Sequence, residues 1–304
     1  MITNTHMATN LLGVLLLAHA MVISAFLIHE CAHNTVFVVN LHNARLAAGL
    51  SWITVNCYAR YEELGRKHFR HHIERADIIG FDYRRRMPYY PHLSKVMAML
   101  EWAYIPAVEI MLHTLLLILP FRNDYYKSQR KRVLSVFTIC ALLFGSFYWE
   151  SPRAMILYPL AYILFIMVLR FMDANQHSYD LVEAHDDTGL PGGELRDRNY
   201  EYRNTYSNPI SMRYPQLNLF TLNFFYHNAH HERPTHPWYR LPALHQELYR
   251  NDHSHVLDFR TLLHAYHKYR ERRAFRPVSE DMKSHTAHGP DLQGIDCISF
   301  LIPI

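Results

Sequence analysis

Long apolar runs alternate with polar, histidine-bearing segments along the chain. Residues 8–28 contain no charged side chain and, at about 1.5 Å per residue, are long enough to cross a bilayer as a helix. Two further apolar runs, residues 133–149 and 154–172, are separated only by the polar residues 150–153. The pattern predicts one membrane-spanning helix near the N-terminus and, later, a helical hairpin with a tight turn.

A signal peptide is the alternative for residues 8–28. Such peptides begin with a basic region, whereas the first Lys or Arg of this chain is Arg45, so the spanning helix is favoured. Residues 35–58 and 96–120 are also rich in apolar side chains, but Asn, His, Arg and Glu interrupt them. Hydropathy leaves each of these two segments open between a span, an in-plane helix and a core helix.

The distribution of basic residues orients the predicted spans. Residues 84–86 and 127–132 are rich in Arg and Lys, and basic loops stay on the cytoplasmic side of a membrane. The turn at 150–153 is then expected on the opposite side. From about residue 173 onward the chain is polar and is expected to be cytoplasmic. No repeat or linker divides the sequence, which predicts one domain over residues 1–304, with a core at about 10–250 and a tail at about 251–304.

Composition excludes several classes of protein. Half of the 304 residues are hydrophobic and 19% are charged, which excludes a disordered chain. The four cysteines are far apart and form no CxxC pair, which excludes a disulfide-stapled scaffold and a thiolate zinc ribbon. The net charge of +4 comes from scattered residues, so no nucleic-acid partner is expected. The unusual number is the 23 histidines.

Nine of these histidines fall into short motifs that place imidazoles on one helical face. The sequence HECAH at 29–33 gives an i, i+4 pair, and HFRHH at 68–72 and HNAHH at 227–231 each give an i, i+3, i+4 triplet. Asp173 and His177 add an i, i+4 pair after the last apolar run. The Asp173 carboxylate is a candidate to interact with the metal site indirectly, and not as a ligand. The candidate metal ligands are His29, His33, His68, His71, His72, His177, His227, His230 and His231.

Nine imidazoles exceed the needs of one ion, whereas two ions with four or five nitrogens each would use them all. Imidazole suits Zn, Cu, Fe and Ni. A zinc protease is an alternative, because HECAH fits the HExxH motif with Glu30 as general base. That interpretation leaves the other seven clustered histidines unexplained.

Membrane topology gives an independent check on this site. All the motifs must lie on one side of the membrane if they form one site. The first span places His29 on the cytoplasmic side. The hairpin of residues 133–172 crosses the membrane and crosses back, so it places His177 on the same side. The fold class is therefore predicted as an all-α membrane bundle of three or four spans, with a cytoplasmic helical cap that holds two metal ions.

With these three motifs the sequence resembles the integral-membrane fatty acid desaturase and hydroxylase superfamily, which includes acyl-lipid and acyl-CoA desaturases and alkane hydroxylases. The lone His177 matches the extra ligand of that family, and the stretch at 237–245 is similar to bacterial members. The resemblance covers about residues 10–250. It is nearest to short bacterial desaturase-like enzymes, some of which form terminal alkenes or alkynes. One departure is the single apolar helix before the first motif, where the family usually has two.

The resemblance implies a non-haem centre of two Fe ions that activates the co-substrate O₂, and an acyl desaturase as the activity. The acyl chain would be carried by CoA, acyl carrier protein or a phospholipid, in contact with membrane lipid. Arg84, Arg85, Arg86 or Lys95 are candidates for an anionic head group, although ordinary positive-inside anchoring also accounts for them. A bacterial inner membrane is the expected location.

Electrons are expected from a separate partner, namely a ferredoxin, a rubredoxin or a cytochrome b5 with its reductase. The chain shows no glycine fingerprint for a flavin or nicotinamide, and residues 190–193 lack the haem histidine of a fused cytochrome b5 domain. The alternatives to a desaturase are a sister oxygenase (a hydroxylase, ketolase or alkene-forming decarboxylase) and a non-catalytic membrane metal-binding or transport protein.

Overall fold

The fold is almost entirely helical. A computed structural model describes residues 6–79, 83–179, 182–184, 196–250 and 252–271 of the chain. The α-helices in this part are α1 (Met7–Ala32), α2 (Asn40–Ile53), α3 (Tyr61–Glu74), α4 (Tyr83–Arg86), α5 (Pro91–Trp102), α6 (Ala107–Arg122), α7 (Arg130–Glu150), α8 (Ala154–Asp173), α9 (Arg198–Arg203), α10 (His227–Glu232), α11 (Leu241–Tyr249) and α12 (Phe259–Tyr269). The predicted tail beyond residue 271 and the stretch 190–193 lie outside the described residues.

Short elements connect the helices. Short 3₁₀ helices cover Met87–Tyr89, Asp124–Gln129, Pro215–Thr221 and Trp238–Arg240. Among the described residues the only strands are β1 (Asp77–Ile79) and β2 (Val182–Ala184), which pair in parallel with Asp77 opposite Val182. This pairing joins the segment after the second histidine motif to the segment after His177.

Among the described residues, three helical segments are long and apolar enough to cross a membrane. They are α1, the segment Asp124–Glu150 that contains α7, and α8. These segments confirm the predicted first span and the predicted helical hairpin. They also confirm the predicted all-α membrane bundle, with three spans rather than four. Residues 96–120 are not one helix, because the backbone turns at Tyr104 with φ 62° and Pro106 caps α6. A residue before proline is disfavoured in helical geometry, which accounts for the break.

The main core forms where α1 packs against α2 and α8. Phe26 and Ile28 of α1 meet Phe165 and Leu169 of α8, and all four side chains are almost completely buried. Helix α7 differs, because most of its apolar side chains are exposed, including Leu142 at 70% and Trp149 at 87%. An apolar surface of this extent needs an apolar neighbour, and lipid satisfies that need for a spanning helix.

Two arginines connect the spanning helices to the rest of the fold, Arg170, which is buried, and Arg132, which is half-buried. Arg170 of α8 donates to Glu101 of α5 at 2.5 Å and to Glu109 of α6 at 3.1 Å, and all three side chains are 2–4% exposed. Arg132 of α7 donates to the backbone carbonyls of residues 57, 58 and 59, just before α3 begins. Arg132 thus supports the approach to the second histidine motif.

Candidate metal centre

The first histidine motif lies at the end of α1. His29 is within the helix, and His33 is its C-cap residue. The helix ends there because Asn34 adopts the left-handed conformation, with φ 57°, and its N–H bonds to the Cys31 carbonyl. Asn and Asp tolerate this conformation better than other residues with a side chain. Both imidazoles therefore point from the end of a spanning helix, and both are buried.

The second motif occupies the last two turns of α3. His68, His71 and His72 lie on one side of this helix, which ends when Arg75 adopts φ 51° and its N–H bonds to the His71 carbonyl. The opposite side of α3 exposes Phe69 and Ile73. The i, i+3, i+4 spacing therefore gives one histidine face, as the periodicity predicts.

The third motif forms the short helix α10, with His227, His230 and His231 all buried. Two left-handed residues, Leu222 and Asn223, turn the chain just before α10. His177 belongs to none of these helices, because α8 ends at Asp173 and His177 follows four residues later, outside the helix. It is held by an antiparallel bridge to Thr205.

These segments bring the nine predicted histidines into two adjoining clusters. Each cluster has four imidazoles whose nitrogens lie within 4.8 Å of one another. Cluster one contains His29, His33, His68 and His230, and cluster two contains His71, His177, His227 and His231. The ninth residue, His72, lies between them, with its Nε2 3.1 Å from Nε2 of His68 and its ring 4.3 Å from that of His231.

The Nε2 atoms converge in both clusters. Nε2 of His68 lies 2.7 Å from that of His33, and Nε2 of His177 lies 2.7 Å from that of His227 and 3.1 Å from that of His71. Metal–imidazole bonds of about 2.1 Å place neighbouring ligand nitrogens roughly 3 Å apart. A neutral imidazole carries one N–H, so hydrogen bonds among the rings cannot satisfy every nitrogen at these points.

Two outer contacts indicate which ring nitrogen carries the proton. Nδ1 of His71 lies 2.8 Å from the Ala76 carbonyl, and Nδ1 of His231 lies 2.9 Å from the Glu201 carboxylate. Carbonyl and carboxylate oxygens only accept, so both Nδ1 atoms donate. The Nε2 atom of each ring then presents a lone pair to cluster two.

Burial keeps the rings neutral. Desolvation, followed by the repulsion between neighbouring rings if they were protonated, lowers the pKa of His33, His68 and His72 well below the usual range. The same two causes lower the pKa of His227, His230 and His231. Neutral imidazole is the form that binds metal.

Unsatisfied nitrogens also fit a metal site. Among the described residues, both ring nitrogens of His230 and Nε2 of His231 are buried without a hydrogen-bond partner. A buried polar atom left unpaired costs about 1–3 kcal/mol. Coordination would remove that cost for one nitrogen of His230 and for Nε2 of His231. The donor set, its protonation and its spacing therefore fit two ions that favour imidazole.

A carboxylate accompanies each cluster. Glu30, a residue of the first motif, lies 3.5 Å from Nδ1 of His29 and accepts from the Thr35 hydroxyl and the Trp238 backbone N–H. Glu201 accepts from His231 and, through its second oxygen, from Arg75. Glu201 was not predicted from the sequence, because it lies 30 positions from His231 on a helix without a motif.

A cavity of about 60 Å³ lies beside both clusters. That volume holds several water molecules. One part of its lining is polar, with Lys67, Asp77, Asp173 and Gln176, and another part is apolar, with Ile78, Ile79 and Phe224. Asp173 lines the cavity and interacts electrostatically with Lys67. Since α8 ends at Asp173, the predicted i, i+4 relation to His177 on one helical face is not formed.

The family model for fatty acid desaturases matches residues 6–262, a range that contains every histidine of the two clusters. The chain belongs to the fatty acid desaturase family. No curated protein and no solved structure matches it significantly. The family is one of oxidoreductases that act on lipid, and the three apolar helices agree with its membrane setting. The resemblance carried by the three histidine motifs is thus confirmed.

Proposed function

We propose that the protein is an O₂-dependent membrane fatty acyl desaturase whose nine clustered histidines hold two Fe ions. The observation that carries the proposal is the convergence of nine imidazoles, seven of them buried, on two adjoining positions at the ends of α1 and α8. Iron in such a donor set supplies the oxygen activation needed to attack an unactivated C–H bond. Cluster one, with His72, would provide five ligands and cluster two would provide four.

The protein's own residues prepare this chemistry in three ways. The neutral imidazoles add no charge to a site beside the membrane, which keeps the desolvation cost low. The hydrogen bonds to Ala76 and Glu201 fix the rings of His71 and His231 with Nε2 turned inward. The partly apolar cavity gives a substrate a place next to both clusters.

The substrate is proposed to be an acyl chain, attached to CoA, acyl carrier protein or phospholipid, that enters from the membrane. The apolar cavity wall of Ile78, Ile79 and Phe224 would contact the chain. Exposed Arg86 and Lys95 are candidates for an anionic head group, whereas the side chains of Arg84 and Arg85 lie outside the described residues. A ferredoxin, rubredoxin or cytochrome b5 would supply electrons.

The test combines metal analysis with product analysis. Purified protein is expected to contain about two Fe per chain, because nine imidazoles suit two ions. Expression with a matching reductase should yield an acyl product lighter by two hydrogens in mass spectrometry. One zinc per chain would favour the protease alternative, and no metal would refute the proposal. A hydroxylated, keto or shortened alkene product would assign the sister oxygenase instead.

A further inference from the structure

We propose that Glu201 is a positioning residue that fixes His231 as a metal ligand, and that Arg75 holds Glu201 in place. The inference rests on the two-metal site of the proposed function. It assigns a role to a residue outside the histidine motifs and predicts that the two metal positions respond differently to its loss.

The two oxygens of Glu201 have separate partners. Oε1 accepts from Nδ1 of His231 at 2.9 Å, and Oε2 accepts from Nε of Arg75 at 2.9 Å. The carboxylate is only 13% exposed, and the His231 side chain is 2% exposed. One oxygen therefore orients the ligand ring while the other is anchored to a cation.

Arg75 is itself fixed by its place in the fold. It is the left-handed C-cap of α3, directly after the second histidine motif, and its Nη1 donates to the Arg196 carbonyl at 2.6 Å. Arg196 lies just before α9, the helix that carries Glu201. The second motif, α9 and the third motif are therefore joined through three polar side chains rather than through apolar packing.

The arrangement acts on cluster two. A carboxylate at Nδ1 keeps the proton on that nitrogen, limits rotation of the ring and makes Nε2 a stronger donor. The carboxylate next to cluster one, Glu30, is held by different donors, Thr35 and Trp238. Loss of Glu201 should therefore lower the metal affinity of cluster two more than that of cluster one.

The experiment measures iron retention in purified, iron-loaded protein during titration with a chelator. In E201A, one of the two irons should leave at a chelator concentration about 10- to 100-fold lower than in wild type, because outer partners of ligand histidines contribute that much affinity. E201Q should fall between the two, since an amide oxygen still accepts from Nδ1 but carries no charge. Mössbauer spectra should change for one iron environment and not for the other.

Two further variants separate positioning from general damage. E247Q removes a carboxylate that pairs with Arg233 at 3.0 Å on the exposed surface, and it should retain both irons as wild type does. R75M should weaken iron retention less than E201A does. The double variant R75M/E201A should retain iron as E201A does, because Arg75 acts through Glu201.

Wild-type retention of both irons by E201A and E201Q would overturn the inference. So would simultaneous loss of both irons from E201Q at an unchanged unfolding temperature, since that would show no preference for cluster two. Failure of the proposed function is a different result, because the wild-type protein itself would then not bind two irons.

Discussion

At the scale of single residues, the histidines differ sharply in their surroundings. His230 is 1% exposed, and its ring contacts those of His29, His33 and His72. His253 is exposed. The same residue type thus lies in a buried histidine cluster in one place and on the surface in the other.

H230A is expected to lower turnover by more than roughly 100-fold, because loss of a direct ligand exceeds the effect of losing an outer partner. H253A should leave turnover within about twofold of wild type, since surface changes away from such features have small effects. Product formation by mass spectrometry measures both. Similar losses in the two variants would show that cluster one is not the reactive site.

The histidine positions could be predicted because spacing on a helix decides which side chains share a face. His68, His71 and His72 do so in α3. Glu201 could not be predicted, because its contact with His231 depends on how α9 docks against α10 and on the conformation of Arg75. Metal binding by the nine residues remains a prediction.

At the scale of elements, the ion pairs of Arg170 hold α8 against α5 and α6. R170M would leave Glu101 and Glu109 buried without this cation. Breaking a buried pair on one side costs about 3–5 kcal/mol. The thermal unfolding midpoint of the protein in detergent should therefore fall clearly.

R233M is the matched control for that measurement. Arg233 pairs with Glu247 at 3.0 Å, but the two side chains are 48% and 61% exposed. Exposed pairs contribute at most about 1 kcal/mol, so the midpoint should hardly move. Equal, small shifts in R170M and R233M would mean that the buried triad adds little to stability.

The sequence predicted helices correctly where apolar residues continue over a long stretch of the chain. The apolar runs correspond to α1, α7 and α8 within a few residues. The prediction was indecisive for residues 96–120, where a turn at Tyr104 and Pro106 divides α5 from α6. The strands β1 and β2 were not predicted, since three residues show no alternation and their partners are far apart in the sequence.

At the scale of the whole molecule, the clusters determine which helix ends share one side of the membrane. α1 ends at the first motif, and α8 ends just before His177. The turn between α7 and α8 must then lie on the opposite side. This conclusion depends on the helix order and on the convergence of the ligands, and it is independent of charge.

Thiol labelling can test this topology. P152C places a cysteine in the exposed turn between α7 and α8, and S254C places one in an exposed segment after α11. A membrane-impermeant reagent should label the first variant in intact cells and the second only in inverted vesicles. Wild-type protein gives the background from native cysteines. Labelling of both variants from the same side would contradict the three-span arrangement.

The proposed ligands come from four separate segments, namely α1 with its C-cap residue, α3, the stretch after α8, and α10. During synthesis, a nascent chain that has not yet reached His230 contains only part of each cluster. Ions that need the complete set cannot stabilise such a fragment, because binding energy becomes folding energy only when the ligands are assembled. Bound iron would therefore stabilise only the finished protein. Truncated chains would lack that stabilisation and would stay susceptible to proteolysis.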